Sequence, residues 1–258
     1  MSDRKVHGAK TLTHERGTII FDLDGTLVDS APDLADALDV LLVENGFAAI
    51  GLEATRKLIG HGIANLVLKG FAVCGKHLDQ EEAAVATHRF QSLYAERLPA
   101  KAKLYPQVAE ILSHLSGLGW RMVVCTNKLE TFARPILEGL GVAHYFAVIA
   151  GPDTFGVAKP DPQHLLRTLP SDVPENYLSI MVGDSEVDIA TAKAAGLPVV
   201  AVSYGYCHSN LQNLSPDALL DHFSDIPAAL AKIASNVAMM QQRTRTNAEV
   251  TSHNLRFT

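Results

Sequence analysis

Apolar residues follow two alternating patterns along this chain, short continuous runs and repeats with helical spacing. Runs that end at turn or polar residues predict buried strands, and they lie at 18–22, 121–125, 146–150, 179–182 and 199–202. Between these runs the apolar residues recur every three or four positions, as at Val108, Ile111, Leu112 and Leu115. Strands that alternate with helices predict right-handed crossovers. The fold class is therefore α/β, a Rossmann-like parallel sheet with helices on both faces.

Residues 30–100 differ from the rest, because they contain several helical patterns and no clear strand. This stretch is long enough to form a small helical domain inserted into the sheet domain, which would comprise 17–29 and 101–235. Residues 1–16 have little apolar content and predict a loose N-terminal tail. Residues 236–258, rich in Gln, Arg, Thr and Asn, predict a polar C-terminal tail.

The composition excludes several classes of function. The 258 residues are 47% hydrophobic and 19% charged, as in a soluble globular protein. A formal charge of -6 argues against binding to nucleic acid or to an anionic membrane. No apolar run reaches membrane-spanning length, and residues 1–16 lack the apolar core of a signal peptide, so we expect neither a membrane span nor a signal peptide. Cys74, Cys125 and Cys207 have no metal-ligand or redox spacing, so we expect a reducing, cytoplasmic location.

Two carboxylates stand at the end of the first predicted strand. Asp22 ends that strand, and Asp24 follows two residues later before a Gly-Thr pair. Carboxylates so close repel each other, and their burial is costly unless a cation or hydrogen bonds neutralise them. A hard divalent cation with oxygen ligands, of which magnesium fits best, would resolve this. Taken alone, the stretch also fits a strand followed by a polar turn, because Asp-Gly is a common turn dipeptide.

Polar side chains follow three further predicted strands. In a parallel sheet the carboxyl ends of the strands lie along one edge, so we expect these residues to converge. The converging set is Asp22, Asp24, Thr126, Asn127, Lys159, Asp184 and Asp188. Such a set suits phosphoryl transfer, in which a carboxylate attacks phosphorus to give an aspartyl-phosphate and cations neutralise the transferring oxygens.

Four segments of this sequence resemble the motifs of the haloacid-dehalogenase-like phosphatases, in that family's order. They are Asp22–Asp29, Val124–Asn127, Lys159–Pro162 and Gly183–Asp188. The helical insertion falls where the family places its cap domain, and the resemblance covers roughly residues 17–232. Further similarity through Leu104–Pro106, Asn127-Lys128 and Val202–Tyr206 is to the bacterial phosphoglycolate phosphatases within the family.

The resemblance implies a role for each matched residue. Asp22 would be the nucleophile, and Asp24 the general acid that protonates the leaving oxygen and then the base that activates water. Magnesium would be held by the Asp22 carboxylate, the Asp24 backbone carbonyl and the Asp184 carboxylate. Lys159 would neutralise both the phosphate and the nucleophile. The presence of Asp24 disfavours the dehalogenase and phosphonate-cleaving branches, which lack a carboxylate at that position.

Four further residues have weaker signals. The resemblance implies that Thr126 and Asn127 bind phosphoryl oxygens. Asp188 would either support the site from outside the metal and substrate ligands or simply place a negative charge at a helix N-terminus. Arg56 resembles a cap arginine of related phosphatases and would bind the substrate's carboxylate through its guanidinium. The alternative is a solvated helix arginine.

The sequence thus predicts a magnesium-dependent phosphomonoester hydrolase that converts 2-phosphoglycolate and water to glycolate and phosphate. Its partner would be a small phosphorylated metabolite, with no nucleic acid or membrane. Three alternatives stay open, namely a phosphatase for another small metabolite (a sugar phosphate or pyrophosphate), a phosphosugar mutase, and a non-catalytic sensor of a phosphorylated metabolite. Whether the chain is a monomer or a homodimer is not predicted.

Overall fold

A computed structural model of the protein describes residues 16–98, 100–171, 177–207 and 209–239. Within these residues the strands form one six-stranded parallel sheet and one two-stranded antiparallel ribbon. The strands are β1 (Gly17–Phe21), β2 (Val28–Asp29), β3 (Lys103–Leu104), β4 (Trp120–Cys125), β5 (Phe146–Ala150), β6 (Ser179–Gly183), β7 (Val199–Val202) and β8 (Ala218–Leu220). The order in the large sheet is β5-β4-β1-β6-β7-β8.

Helices follow the strands in alternation, as predicted for an α/β fold. They are α1 (Ala31–Glu44), α2 (Gly51–Arg56), α3 (Ile63–Val73), α4 (Gln80–Ala95), α5 (Val108–Gly117), α6 (Glu130–Gly139), α7 (Pro152–Phe155), α8 (Pro162–Thr168), α9 (Glu186–Ala194) and α10 (residues 226–239). None of the helices in the described part of the chain combines the length and the apolar character that a bilayer crossing requires.

The central strand β1 shows why the sheet is covered on both faces. Its side chains alternate between two apolar cores, because successive residues of a strand point to opposite faces. Ile19 and Phe21 lie in the larger core with α5 and α10, whereas Ile20 lies in the smaller one with α8 and α9. The predicted parallel sheet with helices on both faces is therefore confirmed, and its five predicted strands correspond to β1, β4, β5, β6 and β7.

Two regions differ from the sequence-based expectations. The sheet has a sixth strand, β8, which pairs with β7 and which its three residues were too few to reveal. Helix α10 continues through residues 236–239, so the predicted polar tail begins inside a helix. Residues 240–258 and 1–15, which carry the rest of the predicted tails, lie outside the described residues.

Helices α1 to α4 lie between β2 and β3, and these two short strands connect them to the sheet. Val28 pairs with Leu104 and Asp29 with Lys103 in an antiparallel ribbon. Both chain connections of the helical insertion therefore pass through a single two-stranded hinge. The insertion has the expected helical character, and its treatment as a separate cap domain with bounds at 30 and 100 stays a prediction. We refer to α1–α4 as the cap.

Candidate active site

The carboxyl ends of three adjacent strands lie side by side at one edge of the sheet. Asp22 follows β1, Thr126 follows β4 and Asp184 follows β6, and β1 lies between the other two strands. A cavity of about 230 Å³ opens at this edge and is lined by residues of both the sheet and the cap. This is the position at which open α/β sheets bind ligands. The structure therefore brings the predicted strand-end residues together.

Asp22 is buried and ion-paired. Its Oδ1 atom lies 2.7 Å from the Lys159 Nζ, and the same ammonium lies 2.6 Å from Asp188 Oδ1. Burial raises the pKa of Asp22 to about 6, although the adjacent Lys159 acts in the opposite direction. Burial lowers the pKa of Lys159, but Asp188 and Asp22 outweigh it and the net change is upward. Lys159 is thus a buried cation shared between two carboxylates.

Asp184 is held by hydrogen bonds to both of its carboxylate oxygens. The Thr26 hydroxyl donates to Oδ1 at 3.1 Å, and the Tyr206 backbone N–H donates to Oδ2 at 2.7 Å. Burial, together with the carboxylates of Asp188 and Asp22, raises the pKa of Asp184 well above its usual value. A buried carboxylate with a raised pKa lacks a compensating positive charge, which a metal ion would supply.

The acidic cluster fits a hard divalent cation. Asp22, Asp184 and Asp188 each offer an oxygen within 4.8 Å of the others. With all three carboxylates ionised, as metal binding requires, the cluster and the Lys159 ammonium would carry a charge of about -2, and carboxylate oxygens are the ligands that Mg²⁺ prefers. Asp188 is already paired with a cation, Lys159, and caps α9 through its other oxygen. By contrast, the donors to Asp184 are neutral, and a single Asp22 oxygen contacts the lysine. Asp22 and Asp184 are therefore the side chains available to hold an ion.

Asp188 has both of the properties that the sequence left as alternatives. It lies in the first turn of α9, where its Oδ2 accepts hydrogen bonds from the Ser185 backbone N–H at 3.0 Å and from the Ser185 hydroxyl at 2.6 Å. The Asp188 backbone N–H donates in return to the Ser185 Oγ at 3.3 Å, and this reciprocal pair of backbone-to-side-chain bonds is a capping box, which stabilises the start of the helix. Because its other oxygen contacts Lys159, Asp188 also holds that lysine against Asp22.

The Asp24 carboxylate has partners other than those of Asp22. Lys128 Nζ lies 3.0 and 2.9 Å from its two oxygens, and the Ser30 hydroxyl donates to Oδ1 at 2.5 Å. The predicted contribution of Asp24 to metal binding was its backbone carbonyl, which the side-chain cluster does not test. Lys128 was not predicted as a site residue. The available signal was its place directly after the polar Thr126-Asn127 pair at the end of β4.

Thr126 and Asn127 also line the cavity, where they were predicted to bind phosphoryl oxygens. The Asn127 amide exchanges two hydrogen bonds with the backbone of Lys159, donating to its carbonyl at 3.0 Å and accepting from its N–H at 2.8 Å. Asn127 therefore fixes the loop that carries Lys159. Contact of Thr126 and Asn127 with phosphate stays a prediction.

Arg56 is placed at the hinge and is not among the residues that line the cavity. Its guanidinium is 2.7 Å from Asp29 Oδ2, and it lies 5.6 Å from the ring centre of Tyr206. The Tyr206 hydroxyl donates to the other Asp29 oxygen at 2.7 Å. Arg56 thus joins α2 of the cap to β2 of the hinge, and its predicted contact with a substrate carboxylate stays a prediction.

The cap contributes other basic residues to the cavity. Lys57, His61 and Lys69 line it from the cap side, and His61 Nε2 lies 3.9 Å from Glu186 Oε1 at the start of α9. The two lysines were not predicted as site residues. Their place in α3 and the preceding turn is visible in the sequence, but which side of the cap faces the sheet is not.

Comparison with known proteins agrees with this geometry. Residues 19–202 match the family model described as haloacid dehalogenase-like hydrolase. A phosphoglycolate phosphatase of Mesorhizobium japonicum is 39% identical over 217 residues, which cover 84% of this chain and 96% of that protein. One of Rhodospirillum rubrum is 42% identical over 212 residues, covering 81% of this chain and 88% of that protein.

Solved structures are similar as well. A crystal structure of a predicted phosphoglycolate phosphatase from Haemophilus somnus has a TM-score of 0.76 and 31% identity, over 84% of this chain and 98% of that one. The sequence match includes all four motif segments, and those segments meet at one edge of the sheet beneath a helical insertion. The chain therefore belongs to the haloacid dehalogenase-like hydrolases.

Proposed function

We propose that this protein is a magnesium-dependent phosphomonoester hydrolase that acts through an aspartyl-phosphate on Asp22, with 2-phosphoglycolate as its substrate. The observation that carries the proposal is the environment of Asp22, a buried carboxylate with one oxygen 2.7 Å from Lys159, beside Asp184 and at the floor of the cavity. A carboxylate so placed is a nucleophile whose surroundings also neutralise an incoming phosphate.

In the first half of the proposed reaction, an Asp22 oxygen forms a bond to phosphorus and the bond from phosphorus to the ester oxygen breaks. Asp24 gives its proton to that leaving oxygen, so glycolate departs as the alcohol. Lys159 contacts Asp22 and would also contact the transferring phosphoryl group. Its ammonium would therefore stabilise the negative charge on the phosphoryl oxygens. Bound Mg²⁺, held by Asp22 and Asp184, would supply the remaining positive charge on the phosphoryl oxygens.

In the second half, Asp24 takes a proton from water as the water oxygen bonds to phosphorus. The bond between phosphorus and Asp22 then breaks, which releases inorganic phosphate and restores the Asp22 carboxylate, while Asp24 is again protonated. This alternation requires one carboxylate that attacks and another that only exchanges protons. Their separate partners, Lys159 for Asp22 and Lys128 for Asp24, support that division of labour.

The choice of 2-phosphoglycolate rests on the relatives and on the cap. The curated relatives that we describe are named phosphoglycolate phosphatases and match most of the chain. Lys57 and Lys69 line the cavity from the cap, where they would face the carboxylate of a small substrate whose phosphate lies at Asp22. We further infer that the enzyme acts in the cytoplasm, since its three cysteines are free, as in a reducing compartment.

The test is release of inorganic phosphate from 2-phosphoglycolate by the purified protein, with Mg²⁺ and with EDTA. We expect turnover that requires the metal, and we expect Asp22→Asn to abolish it while the fold is retained, because an amide oxygen is a poor nucleophile. The fold of the variant is checked by circular dichroism and thermal unfolding. Activity of Asp22→Asn near that of wild type would contradict the assignment of the nucleophile.

The alternative functions correspond to other outcomes of the same assay. The substrate is tested with a panel of phosphorylated metabolites. If kcat/KM is highest for a sugar phosphate or for pyrophosphate, that compound replaces 2-phosphoglycolate as the proposed substrate. If a sugar bisphosphate suppresses phosphate release and the phosphoryl group is transferred to a sugar phosphate instead, the protein is a mutase. Binding of a phosphorylated metabolite without turnover, in Mg²⁺, would indicate a sensor.

A further inference from the structure

Lys128 is a buried cation that the proposed reaction has so far not used. It follows β4 and is 4% exposed, and its ammonium contacts both oxygens of Asp24. A buried ammonium is costly unless its charge is compensated. Its contact with both Asp24 oxygens supplies this compensation.

The second partner of Lys128 comes from the cap. Tyr94 lies in α4, is fully buried, and presents its ring 4.9 Å from the Lys128 Nζ. A cation over an aromatic face is attracted by the negative potential of the ring, and the attraction is strongest where water is excluded. Lys128 thus contacts a catalytic candidate of the sheet domain on one side and a cap helix on the other.

The Asp24 carboxyl group needs a defined orientation to exchange protons. Its side chain can rotate about two bonds, and a proton can be exchanged with a leaving oxygen only within hydrogen-bonding reach of it. Within the described residues, three hydrogen bonds hold this carboxylate, two from Lys128 and one from Ser30. Ser30 is adjacent to the hinge strand β2, so the restraint on Asp24 includes both the hinge and the cap.

We propose that Lys128 is a positioning residue that holds the Asp24 carboxylate in its proton-transfer orientation, and that Tyr94 makes this orientation depend on the cap. The inference deepens the proposed function and rests on it. Lys128 itself forms no bond to substrate and gains or loses no proton in the reaction. Its loss should therefore impair the steps in which Asp24 acts and leave the attack by Asp22 intact.

Two substrates separate those steps. The glycolate oxygen of 2-phosphoglycolate needs a proton to leave, whereas p-nitrophenolate leaves without one. For Lys128→Met we expect kcat/KM to fall about 100-fold with 2-phosphoglycolate and less than about fivefold with p-nitrophenyl phosphate. Lys128→Arg, which retains a cation, should restore part of the difference between the substrates.

Rapid mixing supplies a second measurement. Hydrolysis of the aspartyl-phosphate also uses Asp24 and is common to both substrates, so it should become slow in Lys128→Met. We therefore expect an initial burst of about one p-nitrophenol per enzyme with p-nitrophenyl phosphate, followed by slow turnover. A burst would exclude the possibility that Lys128 merely binds the substrate carboxylate, since p-nitrophenyl phosphate has none.

Lys101→Met is the matched control. Lys101 also pairs with an aspartate, Asp36, at 2.5 Å, but its side chain is 55% exposed and lies outside the cavity. We expect this variant to behave as wild type with both substrates. If Lys128→Met does not fold, Tyr94→Leu tests the same restraint from the cap side, and Tyr94→Phe, which keeps the ring, should be close to wild type.

The outcomes separate this inference from the proposed function. Wild-type protein without Mg²⁺-dependent turnover of either substrate contradicts the proposed function itself. With an active wild type, equal losses of kcat/KM for both substrates in Lys128→Met, or no loss of kcat/KM, would overturn the positioning role. A loss confined to 2-phosphoglycolate without a burst would overturn it too, because that pattern indicates contact with the substrate carboxylate. Tyr94→Leu with wild-type kinetics would overturn the dependence on the cap.

Discussion

The carboxylate of Asp184 is enclosed so closely that two of its neighbours must be glycine. A Cβ atom added at Gly25 or at Gly205 would overlap the Asp184 carboxyl group. Gly25 also has a φ of +91°, which other residues rarely adopt, whereas Gly205 is limited by space alone. The missing side chains therefore allow the backbone to approach the proposed metal ligand, and they fix where its oxygens can lie.

Gly205→Ala should accordingly weaken metal binding. We expect the Mg²⁺ concentration that gives half-maximal activity to rise about tenfold, because the methyl group displaces the Asp184 carboxylate and disturbances around metal ligands commonly cost 10–100-fold. The measurement is a Mg²⁺ titration of phosphate release. Gly117→Ala is the control, since a Cβ there meets nothing within 4 Å. An unchanged Mg²⁺ requirement in Gly205→Ala would argue against Asp184 as a ligand.

Among the elements, the β2–β3 hinge and the neighbouring helix α2 determine how the cap meets the sheet. Asp29 of β2 accepts hydrogen bonds from Arg56 of the cap and from Tyr206, which follows β7. Burial raises the pKa of Asp29, but the bonds from Arg56 and Tyr206 outweigh it and the net change is downward. One ionised carboxylate thus connects three parts of the fold.

The structure and the sequence lead to different expectations for Arg56→Ala. A contact with the substrate carboxylate would raise KM for 2-phosphoglycolate far more than for p-nitrophenyl phosphate. A role at the hinge, which the Asp29 contact favours, would change both substrates to a similar extent. We expect similar changes, and steady-state kinetics with the two substrates decides between the roles.

Lys69→Met should show the selectivity that we do not expect of Arg56. Loss of a charged partner for the substrate carboxylate costs about 1.5–3 kcal/mol, so we expect KM for 2-phosphoglycolate to rise about tenfold or more. KM for p-nitrophenyl phosphate should change less than about twofold, because that substrate has no carboxylate. Lys76→Met, which removes a cap lysine paired with Glu82 on the surface, serves as control. Equal effects on both substrates would remove Lys69 from substrate recognition.

On the scale of the whole molecule, folding brings ionisable groups into the interior and makes stability depend on pH. His164 of α8 is fully buried, and burial, followed by the nearby Lys159 ammonium, lowers its pKa to about 4. Between pH 6.5 and 4 the unfolded chain therefore binds a proton at this residue that the folded chain does not. The stabilising contribution of neutral His164 is complete above this range and is lost as the pH falls through it.

His164→Leu should remove this component. Raising the pH from 5 to 7.5 should increase the free energy of unfolding of wild type by about 1–2 kcal/mol more than that of the variant. Asp22 acts in the opposite sense, since its raised pKa favours the fold at low pH, so only the comparison of the two proteins isolates His164. Urea unfolding in EDTA provides the measurement, and identical pH dependences would contradict the prediction.

The sequence by itself determined the α/β class, five of the six sheet strands and the residues at their carboxyl ends. These features are local, because a short apolar run that ends at a turn specifies a strand and the residue at its end. The parallel order of strands then implies that Asp22, Thr126, Lys159 and Asp184 share an edge. Strand β8 was not predicted, because its three residues are too few for the alternation of apolar and polar positions to distinguish a strand from a turn.

Only the tertiary structure decided which side chains contact each other. The Arg56 guanidinium is a group that commonly binds anionic substrates, but in this structure it pairs with Asp29, 27 positions earlier in the chain. Lys128 and Asp24 are 104 positions apart, and nothing in the local pattern of either predicts their pairing. Such contacts depend on the relative orientation of separate elements and on which carboxylate each buried cation can reach. The sequence therefore located the site, and the packing of the cap and the sheet assigned its partners.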